Sequence, residues 1–245
     1  MDYKAEKVTP YNDQDSKTEQ VRQMFDSIAP AYDFMNRAMT FGIDCWWRRV
    51  AVNCVKRLRP RNILDVATGT GDLAIHLMER VKPDSVVGID LSAGMLEIGR
   101  KKVAEKGLSD KITLEEGDCL KMRFADGSFD AVTVAYGVRN FEHLDAGYAE
   151  MLRVLRPGGM LCVLELSTPK NAFMKALYDI YTGYVIPFIG RSKSHDRRAY
   201  KYLPESIAAV PQGEAMLEVM RRAGFKNCVA KAMTFGTCTM YTGEK

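Results

Sequence analysis

Asn62-Ile-Leu-Asp-Val-Ala-Thr-Gly-Thr-Gly-Asp72 combines a strand, a turn and a helix start in one short stretch. Ile63 to Val66 reads as a buried strand, and the glycines after it open a helix at Asp72. Gly69 and Gly71 permit a tight turn and let backbone lie against a ligand where a Cβ would intrude. Helical spacing follows at once, with Leu73, Ala74, Leu77 and Met78 on one face. Such a unit is a cradle for a nucleotide.

Downstream, strand and helix signals alternate. Ser85 to Ile89 predicts a second strand ending in Asp90, and Ser92 caps the next helix. Ile112 to Leu114 is a third strand leading to Asp118, and Phe129 to Val134 a fourth leading to Tyr136-Gly-Val-Arg-Asn140. A turn at Pro157-Gly158-Gly159 precedes a fifth strand, Met160 to Leu164. Segments near 226–233 and 237–242 predict an antiparallel hairpin. The expectation is an α/β fold: a doubly wound, mostly parallel seven-stranded sheet with an antiparallel C-terminal hairpin and an N-terminal helical addition.

Residues 61–245 form the sheet domain in this reading, and 1–60 a tail plus helices. Residues 1–17 are polar and read as mobile. Val21, Met24, Phe25 and Ile28 mark a helix that Pro30 interrupts, and Trp46, Trp47, Val50, Val52 and Val55 a second one. The addition serves as a lid, a substrate wall, or simple packing on the core.

Between about 170 and 210 the rhythm breaks, in a substrate-side insertion. Phe173, Leu177, Ile180, Tyr181, Tyr184, Val185 and Phe188 recur at helical spacing, ending around Pro187. Arg191, Lys193, His195, Arg197, Arg198 and Lys201 follow. The stretch meets a membrane surface or a lipid-like substrate, meets a second copy of the chain as a homodimer, or packs on the core beside a solvated basic loop.

Composition narrows the function classes. The chain has 245 residues, 47% hydrophobic, with a formal net charge of +4, too mild to indicate nucleic acid. No apolar run approaches the ~20 residues that span a bilayer, and the polar N-terminus lacks a signal sequence. The expected location is the cytoplasm, at most peripheral to the inner membrane surface. Six cysteines without C-x-x-C spacing read as free thiols, and three histidines give no zinc set, so no metal is expected.

Gly69-Thr-Gly71-Asp-Leu-Ala74 fits the dinucleotide fingerprint, with Asp90 at the distance of a ribose-binding carboxylate. Asp65, just before the glycines, suits a cationic ligand and would repel a pyrophosphate. Asp118 can accept from an adenine amine, and no Lys or Arg lies nearby in sequence for phosphates. The acidic cradle therefore favours a sulfonium nucleoside, with a nicotinamide oxidoreductase as the competing class and a non-catalytic lipid-binding scaffold as a third.

These residues resemble the class I S-adenosylmethionine-dependent methyltransferases: Ile63 to Gly71 looks like their first motif, Asp90 their ribose acid, Asp118-Cys119 their adenine site and Arg156-Pro-Gly-Gly159 their later turn. A closer likeness spans nearly the whole chain. Phe25-Asp-Ser-Ile-Ala-Pro-Ala-Tyr-Asp33, Met39-Thr-Phe-Gly42, Tyr136-Gly-Val-Arg-Asn140 and Tyr202-Leu-Pro-Glu-Ser-Ile207 resemble the ubiquinone/menaquinone C-methyltransferases. The resemblance implies S-adenosyl-L-methionine as cofactor and a polyprenyl quinol as substrate, methylated at a ring carbon. It places Thr70, Asp90, Asp118 and Cys119 at cofactor-binding positions, joined here by Asp65, Gly69 and Gly71 from the cradle. Ala135 stands where some members have serine. Another phenolic, lipid or sterol-like acceptor is the alternative substrate.

Ring methylation requires a phenol of pKa ~10 to lose its proton. Arg139 stays protonated, so it can stabilise the phenolate or position a water that takes the proton. Asn140 can hold that water or the cofactor's amino-acid end. Arg139 and Asn140 are the expected catalytic pair, with a plain structural ion pair as the other reading of Arg139. His143 ranks below Arg139 as a base, while His76 and His195 read as surface. Tyr32, Tyr202, Glu205 and Ser206 are the expected substrate-side residues, with simple core packing as the other reading of the tyrosines.

Overall fold

The computed structural model describes residues 3–11, 14–185 and 197–245, with side chains omitted at 184, 185 and 197. Phe188, Pro187, Arg191, Lys193 and His195 lie outside the described residues. The centre is a seven-stranded sheet in the order β3-β2-β1-β4-β5-β7-β6. Its strands are β1 (Asn62–Val66), β2 (Ser85–Asp90), β3 (Ile112–Glu116), β4 (Phe129–Ala135), β5 (Leu155–Leu166), β6 (Lys226–Met233) and β7 (Cys238–Glu244). The first five run parallel, and β7 joins β5 antiparallel with β6 outside it. Ile63, Leu64, Val66, Val132 and Val134 are fully buried, as strands covered on both faces require.

Strand order jumps from β1 to β4 at the centre, so the loops after these strands diverge and leave a crevice at their C-terminal ends. Helices α4 (Asp72–Val81), α5 (Ala93–Glu105) and α6 (Leu144–Val154) cover the parallel part. Helix α9 (Glu214–Ala223), closed by Gly224 at φ 107°, leads into the hairpin. Between β5 and α9 stand α7 (Ala172–Ile180), a π-helical turn (Tyr181–Val185) and α8 (Arg197–Ala209).

Three expectations need correction. Pro30 does not interrupt its helix: α2 runs through it from Lys17 to Thr40. Proline forfeits its own N–H bond and crowds the carbonyl four residues back, a local cost that side-chain ties on both sides offset. Asp26 accepts from Ser92 Oγ at 2.6 Å, and Asp33 from Thr70 Oγ1 at 2.6 Å. Residues 3–11 are docked rather than loose, with a short helix α1 (Lys4–Lys7) and Ala5 buried. Lys17 Nζ donates to Ala5 O at 2.6 Å and Arg139 O at 3.1 Å, while Leu144 N donates to Glu6 Oε1 at 2.8 Å. Finally, β5 begins at Leu155 and carries Pro157-Gly158-Gly159 as a bulge, since Phe129 pairs with Leu155 and Ala131 with Met160.

Helix α3 (Ile43–Lys56) follows α2 and buries Trp47, Val52 and Val55. Among the described residues, no helix is long and apolar enough to cross a membrane.

Candidate active site

The cradle after β1 is fixed by its own backbone. Gly69 and Gly71 have φ of 56° and 76°, and Gly71 precedes α4 as its N-cap. Gly69 N donates to Asp90 Oδ2 at 2.8 Å, and Ser92 N to Asp90 Oδ1 at 2.9 Å. The turn after β1 is thereby tied to the end of β2. Burial pushes the Asp90 carboxyl up, opposed by those N–H donors. Asp65 is buried and accepts from Thr68 Oγ1 and Thr133 Oγ1, each at 2.6 Å. Burial raises its carboxyl to about 6 despite both hydroxyls.

A cavity of about 700 Å³ runs from this turn past Asp90 to Asp118 and Cys119. Cys119 is buried, which pushes its thiol well up, and Asp118 Oδ1 accepts from Leu120 N at 2.8 Å. Thr18, Arg22 and Phe25 of α2 form the opposite wall. Carboxylates at the ends of β2 and β3, either side of a glycine turn, match an adenosine: a diol donor and an amine donor each meet an acceptor. A Cβ at Gly69 would meet only Tyr32 Cε1, at an ordinary contact distance of 4.0 Å, so the glycine is there for its positive φ rather than for space.

The cradle is not free of cations, contrary to the sequence expectation. Lys102 Nζ lies 2.9 Å from Asp33 Oδ2 and 3.2 Å from Thr70 Oγ1, and also bonds Asp72. Arg48 of α3 pairs with Asp44 at 2.5 Å and Asp72 at 3.3 Å. Both cations come from other helices, so local sequence hid them. Asp33, Asp44, Asp65 and Asp72 still outnumber Arg48 and Lys102. Thr70 itself donates to Asp33, tying the turn to α2.

On the far side of Tyr136 lies a cavity of about 1020 Å³ with a mostly apolar wall, including Trp47, Tyr178, Tyr181, Leu203 and Ile207. Arg139, in a single 3-10 turn after β4, lines it and is buried. Its guanidinium bonds Glu165 Oε1 at 2.8 Å and the Tyr136 carbonyl, leaving Nε without a partner. Burial opposes its charge, but the Glu165 carboxylate outweighs that and holds the proton more tightly. Asn140 Oδ1 accepts from the Tyr202 hydroxyl at 3.0 Å. Tyr32 and Tyr136 line both this cavity and the adenosine-shaped one, so they form the partition between them.

Tyr136 holds that position at φ 60°, a left-handed conformation costing a side-chain-bearing residue ~1–2 kcal/mol. Its carbonyl is thereby turned towards Arg139. Of the expected substrate-side residues, Tyr32 and Tyr202 border the cavities, Tyr202 through a smaller chamber it shares with Arg139 and Asn140. Glu205 does not: it is exposed, 3.9 Å from Lys201. Ser206 is buried but spends its hydroxyl on Leu203 O at 2.9 Å. Leu203 and Ile207 of the same helix line the cavity instead. Sequence reasoning did not single out Glu165, Tyr136 or Arg48; Trp47, read from sequence as packing or as facing a prenyl chain, lines the large chamber and donates its indole N–H to Thr234 Oγ1 at 2.8 Å. The lone signal for Glu165 was a charge ending an apolar strand.

Comparisons with known proteins agree with this architecture. The chain is 51% identical over 245 residues to the demethylmenaquinone methyltransferase of Bacteroides fragilis, covering 100% of both chains. It is 44% identical to the ubiquinone/menaquinone biosynthesis C-methyltransferase of Geobacter sulfurreducens, covering 100% of this chain and 95% of that one. Among solved structures, the cyclase SpnF shares the fold with a TM-score of 0.67 at 18% identity, over 93% of this chain and 96% of that one. The ubiE/COQ5 methyltransferase family matches residues 13–245. With a glycine cradle, acidic strand ends and a second chamber beyond Tyr136, this chain belongs to that family and is a methyltransferase.

Proposed function

We propose that the chain methylates a ring carbon of demethylmenaquinol, using S-adenosyl-L-methionine. The observation that carries this reading is the pair of chambers sharing Tyr32 and Tyr136: one ends in acidic adenosine-type acceptors, the other is walled by aromatic and aliphatic side chains. A prenylated ring needs such an apolar chamber, and the similar Bacteroides fragilis protein bears the corresponding name.

When bound, the donor supplies a methyl group on a positively charged sulfur. Asp90 and Asp118 are placed to hold its adenosine end, with Asp65 and the turn at Gly69, Thr70 and Gly71 behind its sulfur-bearing part. Burial around Cys119 keeps its thiol protonated, so it serves as apolar wall. The two chambers meet at Tyr32 and Tyr136, so they would hold donor and acceptor as neighbours, and such positioning can supply ~7–11 kcal/mol of the barrier reduction.

Arg139 stabilises the acceptor's phenolate. Its unpartnered Nε is a buried donor at the chamber wall, and low polarity strengthens its bond to an oxyanion. Glu165 sets the position of the guanidinium. Asn140, oriented by Tyr202, shares a smaller chamber with Arg139, where it can hold a water. Tyr202 stays a neutral donor, its hydroxyl pushed up by burial.

The acceptor arrives from lipid. Phe173, Leu177 and Ile180 share one face of α7, no residue of which is buried, and Phe41 stands 76% exposed at the chamber mouth. This apolar rim supports peripheral contact with a bilayer surface.

Incubation with radiolabelled S-adenosyl-L-methionine and reduced demethylmenaquinone is the test. Label extracted into the organic phase only with reduced quinone is expected; labelling of no quinol, or equally of oxidised quinone, overturns the proposal.

A further inference from the structure

Arg139 sits in a 3-10 turn, Val138–Asn140, with few bonds of its own: Asn140 N donates to Gly137 O at 3.0 Å and Phe141 N to Val138 O at 3.2 Å. So short a turn does little by itself to hold a side chain in one place. Its main chain is instead gripped from outside by two buried, charged side chains. The Arg139 N–H donates to Glu165 Oε2 at 3.2 Å, and the Arg139 carbonyl accepts from Lys17 Nζ at 3.1 Å. Lys17 comes from the first turn of α2 and lines neither of the two large chambers.

Lys17 is 3% exposed. An ammonium is costly to bury unless oxygens replace its water, and an apolar side chain of similar volume is often no worse for stability. Here the oxygens belong to the main chain, since Nζ also donates to Ala5 O at 2.6 Å. A main-chain carbonyl cannot follow the lysine unless its backbone moves, so the two bonds tie the N-terminal segment to the turn after β4. That segment is anchored around the same turn: Ala5 is buried, Glu6 Oε1 accepts from Leu144 N at 2.8 Å, and the Tyr3 hydroxyl donates to Asp145 Oδ1 at 2.7 Å. Just past the turn, Glu142 accepts from Lys17 N at 3.3 Å and Thr18 N at 3.1 Å. Burial draws the Lys17 ammonium down to about 8, opposed chiefly by Glu6, so it stays charged at neutral pH.

We propose that Lys17 is a positioning residue for methyl transfer: with residues 3–8 it clamps the Arg139 carbonyl, so that the guanidinium meets the acceptor's phenolate at one fixed place. This inference rests on the role given to Arg139 above. It makes the N-terminal segment part of the working site, although none of residues 3–8 lines either large chamber.

Steady-state kinetics with S-adenosyl-L-methionine and reduced demethylmenaquinone test this, alongside calorimetry with S-adenosylhomocysteine. Lys17→Met keeps the aliphatic stem and removes the donor. It is expected to lower kcat by about tenfold to a hundredfold, the range for displacing a reacting group by about 1 Å. KM for S-adenosyl-L-methionine and affinity for S-adenosylhomocysteine should stay within about twofold, because the donor cavity does not include Lys17. In an Arg139→Gln background the same substitution should lower kcat by less than about twofold further, since nothing is left for the clamp to place. Removal of residues 1–8 takes away the Ala5 carbonyl and leaves Lys17. It is expected to lower kcat several-fold with donor affinity unchanged, and it keeps the measurement available if Lys17→Met does not fold.

Wild-type kcat in Lys17→Met or in the shortened chain overturns the inference. So does a matching loss of kcat and donor affinity, or a loss in the Arg139→Gln background as large as in the wild type. In each of these cases the wild type still methylates the quinol, and the function proposed above stands. A wild type that labels no quinol overturns both.

Discussion

Arg139 and Glu165 form an ion pair of 2.8 Å in which neither side chain exceeds 7% exposure. Glu165 also accepts from the backbone N–H groups of Arg139 and Leu166, so the end of β5 fixes both the side chain and the main chain of the turn after β4. The pair neutralises Arg139 at rest while leaving Nε unspent.

Arg139→Gln is expected to leave donor affinity within about twofold and to lower kcat by about a hundredfold or more, the usual effect of losing an oxyanion donor. Glu165→Gln strands a buried guanidinium and is expected to cost ~3–5 kcal/mol of stability, read by denaturant unfolding. Normal turnover by Arg139→Gln would remove the role assigned to this side chain.

Asp65 makes stability depend on pH in an unusual direction. Its folded value of about 6 lies above the ordinary 3.8, so the ionised carboxylate destabilises the folded apo chain. That penalty, at most about 3 kcal/mol, is fully present above pH ~6 and fades as pH falls towards ~4. Asp65→Asn is therefore expected to unfold at higher denaturant than wild type at pH 7.5, with the difference shrinking near pH 4. Calorimetry should show it binding S-adenosyl-L-methionine about tenfold more weakly, since the facing carboxylate is gone.

Gly137 separates the partition from the cradle. A Cβ there would sit 2.7 Å from Ala67 Cβ and 2.9 Å from Val134 Cγ1, both on short, stiff side chains. Gly137→Ala is expected to cost ~1–3 kcal/mol by thermal or denaturant unfolding and to weaken donor binding. Unchanged values for both would mean the turn absorbs the methyl group without moving.

The apolar face of α7 yields a separate prediction. Phe173→Ser combined with Leu177→Ser is expected to reduce co-sedimentation with lipid vesicles several-fold. Donor affinity should be unaltered, because neither residue borders the donor cavity. Equal sedimentation of variant and wild type would exclude this face as the lipid contact.

The cradle was legible in sequence because its signals are local: glycines, strand-ending carboxylates and the helix after them lie within one short run. The parallel sheet and hairpin were legible for the same reason. Arg48 was not, because helical spacing marks it as an ordinary helix residue; for Trp47 the spacing left packing and a chamber wall equally open, since the Thr234 that holds its indole is 187 positions away. Pro30 misled because a local rule about proline ignores the ties that Asp26 and Asp33 make to the sheet domain. The docked N-terminus was hidden likewise: Tyr3 donates to Asp145 at 2.7 Å, far along the chain. Glu205 and Ser206 lie three and four residues past Tyr202, near it by helical spacing, but tertiary packing leaves Glu205 in solvent and spends the Ser206 hydroxyl on Leu203 O.

Helix α2 is a single rod whose Tyr32 belongs to both chambers, with Phe25 in the first and Met39 in the second. A stiff beam between two rooms cannot swing out of one without disturbing the other. Escape of the spent nucleoside is thereby coupled to departure of the methylated lipid, which favours a compulsory sequence of product release. Mutations that widen the apolar room for a different tail would, through the same beam, retune how fast the nucleoside exchanges.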